Sequence, residues 1–254
     1  MDASTPGGGA VARRPAPLSL AHLLREPAAG ALPDGASPPL LLLLHGVGSN
    51  ERSMASLAPA FDPRFLVVSA RSPLVLGPDA FAWFHVTFTA RGPVIDEREA
   101  AAGWAHVARF VDEAVHAYGA DPARVFVAGF SQGAIMSLAA LLTAPERIAG
   151  VAAMSGRLLP EVLPHVAPPE ALRGKQVLVV HGTRDEKLGI HFARTARDTL
   201  ARFPIALEYH ELPIAHTVTA ESLALVNEWL GARLTEVEAG SEGVHAPRSP
   251  VRSH

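Results

Sequence analysis

The chain has 254 residues, 48% of them apolar, and a formal net charge of −3. That length and apolar content fit one domain with a sizeable core, and with no basic block nothing points to a nucleic-acid partner. Cysteine is absent, which excludes a thiol nucleophile, a disulfide framework and thiolate metal sites while leaving the redox compartment open.

Residues 1–17, rich in Gly, Ala and Pro, read as a flexible leader. Arg13-Arg14 followed by Leu18 to Leu24 resembles an export signal only faintly, because Pro15, Pro17 and His22 interrupt a short apolar stretch. An edge strand near Leu18 is expected instead. Ala28 to Pro39 is a loop. Leu40 to Leu44 is a continuous apolar run, expected as a buried strand, and it ends in the glycine-rich turn His45-Gly46-Val47-Gly48-Ser49-Asn50. Another strand starts near Phe65. Ser72 to Val94 shows no period and carries three prolines, two glycines, Phe81, Trp83, Phe84 and Phe88. Loops of this length act as lids or binding loops, or as flaps whose aromatics pack. A helix from Asp96 to Tyr118 sets Trp104, Val107, Val111, Ala114 and Tyr118 on one core face. Strands follow near Val125, Val151, Val177 and Ile205. Helices are expected at Ala134 to Leu142, Phe192 to Arg202 and Val218 to Leu234. The alternation predicts an α/β fold, a mostly parallel sheet of about seven strands covered on both faces. The domain is placed at residues 18–234, and 235–254 at a flexible polar tail.

Gly129-Phe130-Ser131-Gln132-Gly133 stands between the Val125 strand and the Ala134 helix. A G-x-S-x-G pentapeptide in that setting is a nucleophile elbow, a strained turn that pushes the serine hydroxyl out at the sheet's end. A serine needs a base, and the base needs an orienting group, which in this arrangement follow in the order acid, then histidine. Asp185 lies in Gly182-Thr183-Arg184-Asp185, just past the strand Gln176 to His181, where active sites of open α/β sheets collect. Asp198 falls inside a helix, and Glu208 and Glu211 in or at the end of a strand. Of the histidines after Asp185, His191 opens a helix, His210 is within a strand, and His245 and His254 sit in the tail. His216 alone occupies a strand–loop–helix junction. The triad reading is Ser131, Asp185 and His216. The oxyanion hole then takes one N–H from Gln132, next to the nucleophile, and one from Val47 in the early glycine turn. That turn lacks the pattern of a phosphate-cradling loop.

With Leu44-His45-Gly46-Val47-Gly48, Ala82-Trp83-Phe84, Gly129-Phe130-Ser131-Gln132-Gly133, Ser155-Gly156, His181-Gly182-Thr183-Arg184-Asp185 and Ala215-His216, the chain resembles the phospholipase/carboxylesterase family of α/β-hydrolases, which includes the acyl-protein thioesterases. The likeness runs over roughly residues 18 to 234. It implies hydrolysis of short or medium acyl esters or thioesters with no cofactor, and it places Trp83 at the substrate; Phe84 and His85 are further substrate-binding candidates beside it, His85 as a polar rim residue rather than a ligand. The chain departs from the family in two places. His85 stands where an acidic residue is usual after Trp-Phe, and Lys187-Leu188-Gly189 replaces a Val/Ile-Pro pair after Asp185. Both bear on specificity.

No H-E-x-x-H or other ligand spacing is present, so no metal is expected. No run approaches the roughly 18 apolar residues of a membrane span, so no stable membrane insertion is expected, and the protein reads as cytoplasmic. The expected partner is a small acyl ester or thioester, and a homodimer is left open. Two rival readings are a binding protein that keeps the fold without the chemistry, and a lysophospholipase- or lipase-like enzyme working at a membrane surface.

Overall fold

The computed structural model describes residues 15–89 and 92–242. Most of the expected leader (1–14) and the end of the expected tail (243–254) lie outside the described residues, as do His245 and His254.

The strands are β1 (His22–Arg25), β2 (Leu40–Leu44), β3 (Leu66–Ala70), β4 (Leu74–Gly77), β5 (Ala80–Ala82), β6 (Val86–Thr89), β7 (Gly92–Ile95), β8 (Val125–Phe130), β9 (Gly150–Met154), β10 (Gln176–Gly182) and β11 (Ala206–Leu212). The α-helices are α1 (Glu51–Ala55), α2 (Glu97–Tyr118), α3 (Gln132–Thr143), α4 (Pro169–Leu172), α5 (Ile190–Leu200) and α6 (Ala220–Glu242). Seven strands form the central sheet in the order β1-β3-β2-β8-β9-β10-β11. All neighbours are parallel except β1, which runs antiparallel to β3 at one edge. The five leucines of β2 are fully buried, as expected of a parallel strand covered on both faces. One apolar layer packs α2 and α3 against the sheet around Val107, Phe110 and Met136. The other packs α6 across Phe126, Leu178 and Trp229.

Helix boundaries follow from their caps. Asp96 accepts from the Arg98 and Glu99 amides at the start of α2, and Gly119, at φ 67°, ends it in the left-handed region. The expected core face of α2 is buried in full. Helix α3 is buried on all sides.

Three expectations change. The first strand begins at His22 rather than near Leu18. Helix α6 continues to Glu242, past the expected end at Leu234. The stretch Ser72 to Val94 is not an open loop but forms two short antiparallel hairpins, β4–β5 and β6–β7. The first is stitched to the glycine turn after β2: Gly48 N–H donates to Phe81 O at 2.8 Å, and Phe81 N–H to Ser49 O at 2.9 Å.

Candidate active site

The serine sits where β8 turns into α3. Ser131 has φ 54° and ψ −117°, a conformation that costs a non-glycine residue on the order of 1–3 kcal/mol and persists only where the surroundings enforce it. They do so here. The Ser131 N–H donates to Met154 O at 2.9 Å, tying the turn to β9. The flanking glycines are required by close approach. A Cβ on Gly129 would lie 2.4 Å from the Gly133 carbonyl, and one on Gly133 only 2.1 Å from Leu44 O.

His216 lies in the connection between β11 and α6. Its Nδ1–H donates to Asp185 Oδ2 at 2.6 Å, and its Nε2 accepts from the Ser131 hydroxyl at 2.9 Å. The Phe130 ring lies against the imidazole, 5.0 Å between centroids. Asp185 follows β10, and its other oxygen, Oδ1, accepts from the Lys187 and Leu188 amides at 2.9 and 2.8 Å. The side chain of Asp185 is fully buried and that of His216 is 13% exposed. Behind the carboxylate, buried His181 donates from Nε2 to Leu188 O at 2.7 Å, and its Nδ1 has no hydrogen-bond partner. Burial holds the His181 imidazole below its usual pKa.

The rival groups are engaged elsewhere. Asp198 pairs with Arg197, Glu208 with His210, and Glu211 with Arg194 and Tyr209. Hydrogen bonds from Arg194 and Tyr209 hold the Glu211 carboxyl down at about 2. His191 packs on Phe192.

Val47 and Gln132 line the same cavity as Ser131 and His216. The Gln132 N–H is in the first turn of α3, where helix geometry gives it no intrahelical acceptor and the helix dipole favours negative charge. The Val47 amide is oriented from behind. Buried His45 donates from Nδ1 to Gly46 O at 2.8 Å, while its Nε2 accepts from Ser72 N–H at 3.1 Å. Because the peptide is trans, fixing the Gly46 carbonyl points the Val47 N–H the opposite way. Burial pushes the His45 pKa down, in keeping with a neutral ring that donates at one nitrogen and accepts at the other.

The cavity is about 390 Å³, within the range of small-molecule sites, about 300–1,000 Å³. Its walls are largely apolar. Met54, Leu57, Phe130 and Val218 contribute, as do Phe84, Val86, Ile95 and Ile135. Thus Phe84, one of the three substrate-binding candidates, is on the wall. Trp83 and His85 are not, for physical reasons. Trp83 is 1% exposed, and its indole N–H donates to His45 O at 3.1 Å, which sets the ring in the scaffold under the glycine turn. His85 turns outward and bonds Glu99 of α2 at 2.8 Å. Sequence reasoning also missed the side chain of Gln132. Its Oε1 accepts from the Trp83 N–H and its Nε2 donates to Phe84 O, both at 2.7 Å, so the residue after the serine also clamps the cavity wall. The glutamine in the motif is the available signal, since a polar side chain on a buried helix turn needs partners.

Among the described residues, no group of three or more His, Asp or Glu side chains is arranged to hold a metal ion, and no helix is long and apolar enough to cross a membrane.

A probable carboxylesterase from Oryza sativa subsp. japonica is 31% identical over 211 residues, spanning 77% of this chain and 88% of the relative. Acyl-protein thioesterase 1 from Neurospora crassa is 30% identical over 125 residues, 47% of this chain and 50% of that protein. The crystal structure of a carboxylesterase from Mesorhizobium loti superposes with a TM-score of 0.67 at 26% identity, covering 77% of this chain and 90% of that one. Residues 31–234 match the phospholipase/carboxylesterase family. With its parallel seven-stranded sheet and its serine on the turn after β8, the chain belongs to that family of α/β-hydrolases.

Proposed function

We propose that the protein hydrolyses short- to medium-chain carboxylic esters or thioesters through an acyl-enzyme, with Ser131 as nucleophile, His216 as base and Asp185 as the orienting acid. The observation that carries this reading is the unbroken relay from Asp185 Oδ2 through both His216 nitrogens to Ser131 Oγ, at 2.6 and 2.9 Å. As Oγ bonds to the acyl carbon, its proton passes to His216 Nε2. When the bond to the leaving alcohol or thiol breaks, that proton leaves with it. Water, deprotonated by the same nitrogen, then cleaves the acyl-serine and regenerates the hydroxyl. The buried carboxylate holds the tautomer with Nδ1 protonated and stabilises the imidazolium. The Val47 and Gln132 amides meet the oxyanion, each contributing about 2.7–4 kcal/mol by analogy with measured donors of this kind. The apolar walls around Phe84, Ile135 and Phe130 suit an unbranched acyl chain. Such walls discriminate by only about 1–3 kcal/mol per methylene, so chain-length preference is graded.

The test is a panel of p-nitrophenyl esters of increasing chain length, run beside labelling by a fluorophosphonate probe. Hydrolysis is expected, with the label on the peptide carrying Ser131. Ser131→Ala should lose about 10⁶-fold in turnover while remaining folded. A folded Ser131→Ala variant with near-normal turnover would overturn the assignment.

A further inference from the structure

The cavity differs in sign from the molecule. The chain carries more acidic than basic residues, 25 against 22. Yet the described residues lining the cavity include two cations, Arg157 and Lys187, and no carboxylate. Among the described residues neither cationic group has a carboxylate within ion-pairing distance, although Glu161, one of whose carboxylate oxygens is buried without a hydrogen-bond partner, acts on Arg157 from further off. Among the described residues no hydrogen bond or ion pair engages either side chain. The guanidinium of Arg157 lies over the Phe192 ring, 5.4 Å from its centroid, a contact that fixes the plane of the fork and leaves its N–H groups open. Arg157 is partly buried beyond the end of β9. Burial lowers its pKa, and Glu161 is the one carboxylate whose field opposes that, from beyond ion-pairing distance. Lys187 is exposed at the cavity margin. Its backbone N–H is committed to Asp185 Oδ1, which fixes its Cα two residues from the acid.

A desolvated cation without a partner is unfavourable in a cavity meant for a plain alkyl ester. It is favourable where the ligand brings the opposite charge, because a guanidinium and an ammonium together offer charge-assisted bonds to a carboxylate or phosphate. We infer that Arg157 and Lys187 form an anion subsite, and that the preferred substrates are acyl esters or thioesters carrying a carboxylate or phosphate beside the scissile bond. The inference rests on the hydrolase reading of Ser131, His216 and Asp185.

Two matched pairs test it and separate the sources of the anion. On the acyl side, the mono-p-nitrophenyl ester of glutaric acid is compared with p-nitrophenyl valerate, which has a methyl group in place of the carboxylate. On the leaving-group side, butyryl glycerol phosphate is compared with butyryl glycerol. In at least one pair the anionic member should have the higher kcat/KM, by about tenfold or more. The preference should sit mainly in KM and shrink as salt is added. Arg157→Gln and Lys187→Gln should each reduce the anionic-to-neutral ratio, and the double variant should bring it close to one. Equal or lower kcat/KM for both anionic members in the native protein would overturn the inference while the neutral esters still report a working hydrolase. So would a preference that survives the double variant. Failure of every ester, with no fluorophosphonate label, would instead defeat the hydrolase reading and the inference with it.

Discussion

Asp185 is held from two directions, by the amides of Lys187 and Leu188 on one oxygen and by His216 on the other. In the proposed relay its role is therefore orientation as much as charge. Asp185→Asn should keep the fold and lose on the order of 10⁴-fold in turnover, since an amide donor opposite Nδ1 favours the wrong tautomer. Asp198→Asn, at an exposed helix position beside Arg197, should change turnover little; the reverse pattern would reassign the acid. The three positions that the structure joins by hydrogen bonds, Ser131, His216 and Asp185, were legible in the sequence because chain order and strand ends confine them. Trp83 was not, because a motif gives a residue's neighbours along the chain and not its direction. The structure turns its indole toward His45. Trp83→Ala should thus cost about 3–5 kcal/mol of stability and lower rates on all acyl lengths by a common factor. A selective change in chain-length preference, at unchanged stability, would return Trp83 to the cavity wall.

At the scale of elements, the elbow is a collision avoided. Helix α3 starts so close to the end of β2 that Gly133 and Leu44 touch backbone to backbone. Gly133→Ala should cost about 3 kcal/mol or more, because strand backbone must move to admit the methyl group. Gly231→Ala in α6, where a Cβ meets nothing within 4 Å, should instead raise stability by about 0.5–1 kcal/mol. Thermal melts of the two variants check both, and equal melting temperatures would contradict the packing described. The long elements were legible from their periods and apolar runs. The hairpins β4–β5 and β6–β7 were not. Their strands are three or four residues long, one pairing shifts register between Val75 and Gly77, and their stability comes from partners distant in sequence such as Ser49 and Gln132.

For the molecule as a whole, two histidines buried at strand ends make stability depend on pH. Burial lowers the pKa of both His45 and His181 from 6.5. Above about pH 6.5 they are neutral folded or unfolded, and their full contribution is present. As pH falls below that value the unfolded chain takes up protons that the fold refuses, so stability drops toward the lowered folded values by up to about 1.4 kcal/mol per pH unit for each ring. Calorimetry from pH 7 to pH 5 should show a falling Tm, before carboxylate protonation adds its own loss; a level Tm would mean the rings protonate freely in place. The sheet order itself was only partly readable, because which strands adjoin depends on crossovers that local sequence does not encode. That architecture also separates two kinds of heredity. The proposed reacting groups leave from the ends of β8, β10 and β11, whereas much of one cavity wall hangs on the excursion between β3 and α2, fastened by the amide of Gln132 and by the pairing of Phe81 with the glycine turn. Substitutions in the excursion can therefore reshape that wall without touching Ser131, Asp185 or His216, provided that Gln132 and the Phe81 pairing keep their grip.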